Sequence, residues 1–186
     1  MTFDNNTIWN EASKAGLLFG AVSVACLGLK ELAGVSGINF LIQAASIILW
    51  AVEFFGCIWL MKEVMLRFRD KYENVKIEDT FKLGRRAALL SGLILASAEA
   101  LVIMKMPAES MNQLIEQFTS GANLIASEKD ALEGMLDKLP LITFIFQWLY
   151  CFLYGSVLAS IMSRYIFLQK LFKGFPPKED NTPDNQ

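Results

Sequence analysis

The chain has no histidine, only three cysteines and only five prolines among its 186 residues. The lack of histidine removes the commonest metal ligand and the commonest general base near neutral pH. Cys26, Cys57 and Cys151 stand singly inside apolar runs, which predicts small buried side chains rather than a metal or redox centre. The sequence also has no nucleophile–base set and no phosphate-binding glycine loop. We therefore expect no enzymatic activity, no cofactor and no metal.

Charged residues are almost missing from four long apolar runs, and hydrophobic residues make up 54% of the chain. A helix needs roughly 20 mostly apolar residues to cross the core of a bilayer. The runs therefore predict an all-α membrane protein in which four transmembrane helices form a bundle. The N-terminus is polar and has no basic segment, so we expect the first run to be a retained signal-anchor. The predicted spans cover about residues 12–34, 38–61, 84–106 and 140–165.

The distribution of lysine and arginine predicts how the chain is threaded. The N-terminal segment, the loop 62–86 and the C-terminal segment together hold 13 of the 17 basic residues. The remaining four are Lys30, Lys105, Lys129 and Lys138, on the other side of the predicted bundle. Basic loops stay in the cytoplasm, so both termini are expected on the cytoplasmic side of the membrane. Because this rule already accounts for the basic loop, lipid headgroups are the expected partner and nucleic acid is not.

A single membrane domain is expected over residues 1–175. Its outer loop, residues 107–139, carries apolar residues at helical spacing and predicts two amphipathic helices that break near Gly121. Their apolar faces could lie on the membrane surface, pack over the ends of the spans or bind a partner. The polar segment 176–186 predicts a disordered cytoplasmic tail.

Several short motifs resemble a family of bacterial inner-membrane proteins catalogued as domain of unknown function 4199. The similarity extends from Ser13 to about Phe172 and is concentrated in the stretch RFRDKYENVKIEDTFKLGRRAALLSGLI. A helical loop before the fourth span also matches. The resemblance implies a four-span fold and supplies no activity. The remaining matched motifs are Lys14-Ala-Gly16, Arg69-Asp70, Phe81-Lys-Leu-Gly84 and Pro107.

Small residues recur at four-residue spacing in three of the spans. In a membrane there is little hydrophobic drive between helices, so such stripes mark places where backbones approach closely. They could pack helices within one chain or between chains, and packing within the chain is the favoured interpretation. The predicted packing residues are Gly16 and Gly20 in the first span, Gly92 and Ala96 in the third, and Gly155 and Ala159 in the fourth.

Among the ionisable residues of the predicted spans, Lys30, Glu53 and Glu99 are the candidates for an intramembrane polar site. Such groups cost about 2.5–3.5 kcal/mol each on insertion scales and usually face the bundle interior. Counting from the centres of the apolar runs, at 1.5 Å per residue, puts Glu99 roughly 4 Å and Lys30 roughly 9 Å outward of mid-membrane. We therefore predict an ion pair between them. Glu53 is placed inward of the centre, too deep to share that lysine.

These residues leave two interpretations open. They could be a buried polar pair that fixes helix register, which is favoured, or a relay or site for an ion or small polar solute. The first function predicted is accordingly a non-enzymatic scaffold or interaction subunit, with a homo-oligomer or a second membrane protein as partner. The alternative is a small transporter or channel-like protein that uses the intramembrane carboxylates. A cavity that touches Glu99 would favour the alternative.

Overall fold

In the computed structural model, residues 4–34, 39–72, 74–107, 110, 134 and 138–173 are described, with side chains described outside 31–46 and 169–173. Over these residues the chain is all-helical and has no strand, so the predicted fold class is confirmed at that level. The predicted loop helices of 107–139 and the tail 176–186 lie almost wholly outside the described residues. The four long helices are α1 (Asn5–Gly34), α2 (Asn39–Lys71), α3 (Ile77–Met104) and α4 (Leu139–Lys173).

Local sequence determines where α3 begins. The Asp79 carboxylate accepts a hydrogen bond of 3.1 Å from the backbone N–H of Lys76, and this N–H has no helical partner of its own. Two acids in the first turn, Glu78 and Asp79, also suit the positive end of the helix dipole. The tight turn before it uses Asn74 with φ of 63°, a left-handed conformation that asparagine tolerates better than most residues. The helix thus begins at Ile77, two residues before Asp79.

Helix α3 lies at the centre of the arrangement, between α1 and α4. Gly16 and Gly20 of α1 face Leu90 and Ile94 of α3, so these two helices run parallel. Helix α4 is antiparallel to α3, because Gly92 lies against Cys151 whereas the earlier Gly84 lies against Ala159. Helix α2 packs less extensively on the other three.

Two ion pairs fix the antiparallel register of α1 and α2. Glu11 accepts a 2.8 Å bond from Lys71, and Lys30 donates a 2.8 Å bond to Glu53. Lys30 follows Glu11 by 19 residues and Glu53 precedes Lys71 by 18. At 1.5 Å per residue the two pairs are about 28 Å apart, close to the thickness of a bilayer core of about 30 Å. They therefore lie near opposite ends of the bundle.

The end that carries Glu11 and Lys71 is basic and tightly packed. Hydrogen bonds there join Arg86 to the side chain of Asn5 at 2.6 Å and Arg69 to the backbone oxygen of Ile166 at 3.2 Å. These contacts bring together the N-termini of α1 and α3 and the C-terminal parts of α2 and α4. Below them lies a continuous apolar core, named here the packed half. Its fully buried members are Ile8, Ala12, Met65, Leu83, Ala87, Ala159 and Ile166.

Three helical segments are long and apolar enough to cross a membrane: Asn5–Lys30, Ile77–Met104 and Leu139–Leu168. The outward faces of the helices are apolar as well. On α4, Phe146 is 70% exposed and Leu153 62%, and on α2, Phe55 is 65% exposed. Exposed apolar faces of this extent favour lipid, not water, around the helices.

Candidate functional site: a polar cavity between the four helices

The four helices enclose a cavity of about 240 Å³, and each helix contributes to its wall. The three ionisable residues of the apolar runs, Lys30, Glu53 and Glu99, all line it. Gln147 of α4 adds an amide to the same wall. The cavity thus brings together residues that are up to 117 positions apart in the sequence, and it does so within the apolar part of the bundle.

The charged partners in this cavity differ from those predicted. The Lys30 ammonium donates a 2.8 Å hydrogen bond to Oε2 of Glu53, with the two side chains 32% and 18% exposed. The prediction that Glu53 lies too deep for Lys30 is therefore wrong. The physical reason is the length of α2: its C-terminal end is fixed to α1 at Glu11, ten residues beyond the predicted span. This register moves Glu53 outward to the level of Lys30.

Glu99 is left without a cation. In the part of the chain that the structure describes, its carboxylate accepts no hydrogen bond and forms no ion pair. The parallel packing of α1 on α3 places Lys30 level with about Met104, so Glu99 lies about 7 Å deeper in the cavity. Glu99 is half-buried in the apolar part of the bundle, where an unpaired carboxylate is costly unless it is neutralised or bound by a ligand.

Four aromatic rings form one wall of the cavity, which we call the aromatic wall: Trp50 and Phe54 of α2, and Tyr150 and Tyr154 of α4. Trp50 stacks on Phe54 at 5.5 Å between ring centroids, and Phe54 contacts Tyr154 at 5.7 Å. Tyr150 and Tyr154 stack at 6.3 Å. The wall is therefore a set of contacting rings from two helices, of which Trp50 is 59% exposed and Tyr150 64%. The Glu99 carboxylate comes from α3.

The hydroxyl of Tyr154 is buried and has no hydrogen-bond partner within the described residues. Buried polar groups are nearly always satisfied, so the missing partner of this hydroxyl is unusual. The ring lines the cavity, but the hydroxyl oxygen has almost no accessible surface of its own. The sequence contained a signal for this wall, because each pair of rings is spaced four residues apart on its helix. The spacing alone does not predict a cavity wall, since aromatic pairs in a membrane helix more often face lipid or neighbouring helices.

The cavity ends on the packed half. Phe19, Met61 and Leu158 belong both to the apolar core and to the cavity lining, and they form its floor. The charged residues lie toward the opposite end. The site is therefore a pocket with a polar upper part and a closed apolar base, not a continuous pore.

The predicted packing glycines lie where helices approach each other within this chain. A Cβ at Gly16 would lie 2.7 Å from the Leu90 Cβ, at Gly20 2.8 Å from the Ile94 Cδ1, and at Gly92 2.9 Å from the Cys151 Cβ. A Cβ at Gly155 would overlap the Cβ of Ala88. Ala96 and Ala159 are completely buried. These stripes close α1 and α4 onto α3 and thereby shape one side of the cavity.

The cysteines do not form a reactive group. Cys57 and Cys151 line the cavity as half-buried free thiols, and Cys26 is buried. Among the described residues, no set of three or more cysteine, aspartate or glutamate side chains is placed to hold a metal ion.

Comparisons with known proteins give no match: no family model fits the chain, and searches of curated proteins and of solved structures find none. The chemistry of the cavity is therefore interpreted from its own residues.

Proposed function

We propose that this chain is a four-span protein of the bacterial inner membrane that binds a small polar or charged solute in the cavity and moves it across the bilayer. The observation that carries the proposal is the unpaired Glu99 carboxylate in a cavity shared by all four helices. In this proposal α2 is the fourth span. Membership of the family of domain of unknown function 4199 is part of the same proposal.

The charge distribution supports an orientation for this site. The basic residues gather at the packed half, which the positive-inside rule assigns to the cytoplasm together with both termini. Lys30 and Glu53 lie about 28 Å away, near the outer surface, so the cavity faces outward. Movement to the cytoplasm requires the floor to part, and the flexible side chain of Met61 suits such a change.

The scaffold function is the second candidate, and one observation favours it. Helix α2 carries a set of large apolar side chains that are more than half exposed, on the helix that packs least against the others. Such a face could bind lipid, a second copy of the chain or another membrane protein. The exposed side chains are Ile47, Ile48, Trp50, Val52, Phe55 and Trp59.

The transport and scaffold functions predict different effects of Glu99→Gln on solute uptake. We expect purified protein in liposomes to take up at least one radiolabelled probe faster than protein-free liposomes do. The probes are an organic cation, an amino acid, a carboxylate and a polyol, and an internal pH dye reports proton entry. Glu99→Gln removes the charge and keeps the shape, and should slow that uptake about tenfold or more, as expected for the loss of one charged hydrogen bond.

Glu63→Gln is the matched control, because Glu63 is on α2, pairs with Arg67 at 2.9 Å and lies outside the cavity. It should transport like the unmodified chain. Uptake no faster than in protein-free liposomes, for all probes and for protons, would overturn the transport function. If Glu99→Gln and the unmodified chain took up the probe equally, and faster than protein-free liposomes, transport would be retained and the role given to Glu99 would be overturned.

A further inference from the structure

We propose that the cavity is a binding site for a small organic cation of the ammonium class, with Glu99 and the aromatic wall as its two recognition elements. This inference deepens the proposed function and rests on it for the direction of movement, but not for binding. The net charge of the cavity is its first support. Lys30 and Glu53 neutralise each other through their 2.8 Å ion pair, so among the described residues that line the cavity an ionised Glu99 leaves a single negative charge.

The aromatic wall is the second support. Rings that present their faces to a cation attract it through the negative charge of their π systems, and cages of such rings recognise alkylated ammonium groups. Trp50, Phe54, Tyr150 and Tyr154 are in contact as one surface, and all four line the cavity that Glu99 lines. A carboxylate alone would suit a metal ion or a proton equally, whereas the rings favour a cation with apolar substituents.

The size of the cavity sets the size of the solute. An apolar cavity of about 150 Å³ in another protein holds one benzene molecule. By that measure about 240 Å³ accommodates a ligand of about ten non-hydrogen atoms.

Glu53 has a specific task in this site: it keeps the protein's own cation away from Glu99. The Lys30 side chain starts about 7 Å from the level of Glu99, a distance that its flexible stem can span. Held by Glu53, the ammonium lies at the outer end of the cavity. Without Glu53 it would bind Glu99 and compete with the solute.

The test is equilibrium binding of benzyltrimethylammonium. By its formula this cation has 11 non-hydrogen atoms, close to the roughly ten that the cavity accommodates. Isothermal calorimetry of the full chain in dodecyl maltoside micelles avoids lipid ammonium groups. We expect binding of this probe, and neither of benzoate nor of benzyl alcohol. Glu99→Gln should weaken it about tenfold or more, and Trp50→Leu about threefold to thirtyfold. Glu63→Gln should bind like the unmodified chain.

Variants of Glu53 provide the most specific test of the site. Glu53→Gln should weaken binding, and the double variant Lys30→Gln with Glu53→Gln should restore it, because no internal cation is left. A misfolded Glu53→Gln would not be rescued by a second substitution, so restored binding separates competition from damage. Undiminished binding by Glu53→Gln would overturn the role given to Lys30. Absent binding of the probe, or equal binding of benzoate, would overturn the cation site.

Ammonium groups also occur on lipid headgroups, and one further arm separates the two sources. Phosphatidylethanolamine added to the micelles should not displace the probe; displacement would assign the site to a lipid headgroup and overturn a soluble solute. Binding of the probe without any uptake in liposomes would retain the cation site and overturn the transport function. Uptake of a neutral or anionic probe without cation binding would retain the transport function and overturn the cation site.

Discussion

The two ends of the bundle fill the space between the same four helices in opposite ways. At the packed half, Met65, Leu83 and Ile166 are completely buried and the helices are in continuous contact. At the outer half, a cavity of about 240 Å³ separates them. Packed interiors rarely contain voids larger than a water molecule, so a pocket of this volume is unusual. The difference supports the proposal that the packed half holds the fold together and the outer half binds a solute.

Two ion pairs make this comparison quantitative, because they join the same two helices with the same 2.8 Å distance. In the pair at the packed half, the Lys71 side chain is 57% exposed. In the cavity pair, Lys30 is 32% exposed and Glu53 18%. Water and salt screen the first pair more than the second, so equal geometry should not give equal stabilisation. Three substitutions test the comparison, from the largest expected effect to the smallest.

Gly84→Leu should cause the largest loss of stability. A Cβ at this position already meets the terminal methyl of Met65 and, at 2.7 Å, the Cβ of Ala159, so a leucine forces α2 and α4 away from α3. Overpacking of this kind costs about 3 kcal/mol. Thermal unfolding in micelles, followed by circular dichroism, measures the loss.

Gly28→Leu is the matched control, since a Cβ at Gly28 has no neighbour within 4 Å. It should leave the unfolding midpoint unchanged or raise it slightly, because leucine favours a helix more than glycine does. A similar loss from both glycines would mean that the packed half is not the part that holds the helices together.

The helical content of the four runs was predictable because it depends on local composition. Apolar runs of sufficient length, separated by polar or glycine-containing turns, gave the all-helical class directly. The sequence also predicted that Lys30, Glu53 and Glu99 face the bundle interior, since charged side chains avoid lipid, but it predicted the wrong partner for Lys30. Hydrophobicity alone accounts for this part of the fold and of the site.

The partner of Lys30 could not be predicted in the same way. Depth was counted from the centre of each apolar run, but the register of α1 and α2 depends on a contact outside the runs, between Glu11 and Lys71. That contact is a tertiary one, and a shift of a few residues along α2 exchanges one carboxylate for another. The aromatic wall was missed for a related reason, because its four rings become one surface only when α2 and α4 are side by side.

Lys30→Gln should have the intermediate effect on stability. It leaves the Glu53 carboxylate half-buried with no cation, and for a pair of this exposure the loss should be about 2 kcal/mol, between the values for exposed and fully buried pairs. The double variant with Glu53→Gln should recover part of the loss, as a double-mutant cycle of unfolding free energies would measure. Complete additivity of the two single losses would show that the pair contributes nothing in the folded protein.

Glu11→Gln, in the pair at the packed half, should have the smallest effect. The hydrogen bond from Lys71 to Glu11 raises the pKa of the lysine, with a smaller contribution from Tyr72. The stabilisation from this raised pKa is therefore complete at neutral pH and is lost only when the pH rises through the raised value. Because Lys71 is largely exposed, we expect a small fall in the unfolding midpoint, and none in about 1 M NaCl, where charges are screened within about 3 Å. Glu63→Gln, which removes another exposed pair on α2, is the control and should behave alike. A loss as large as that of Lys30→Gln would contradict the comparison, since it would mean that charge, and not apolar packing, holds the basic end together.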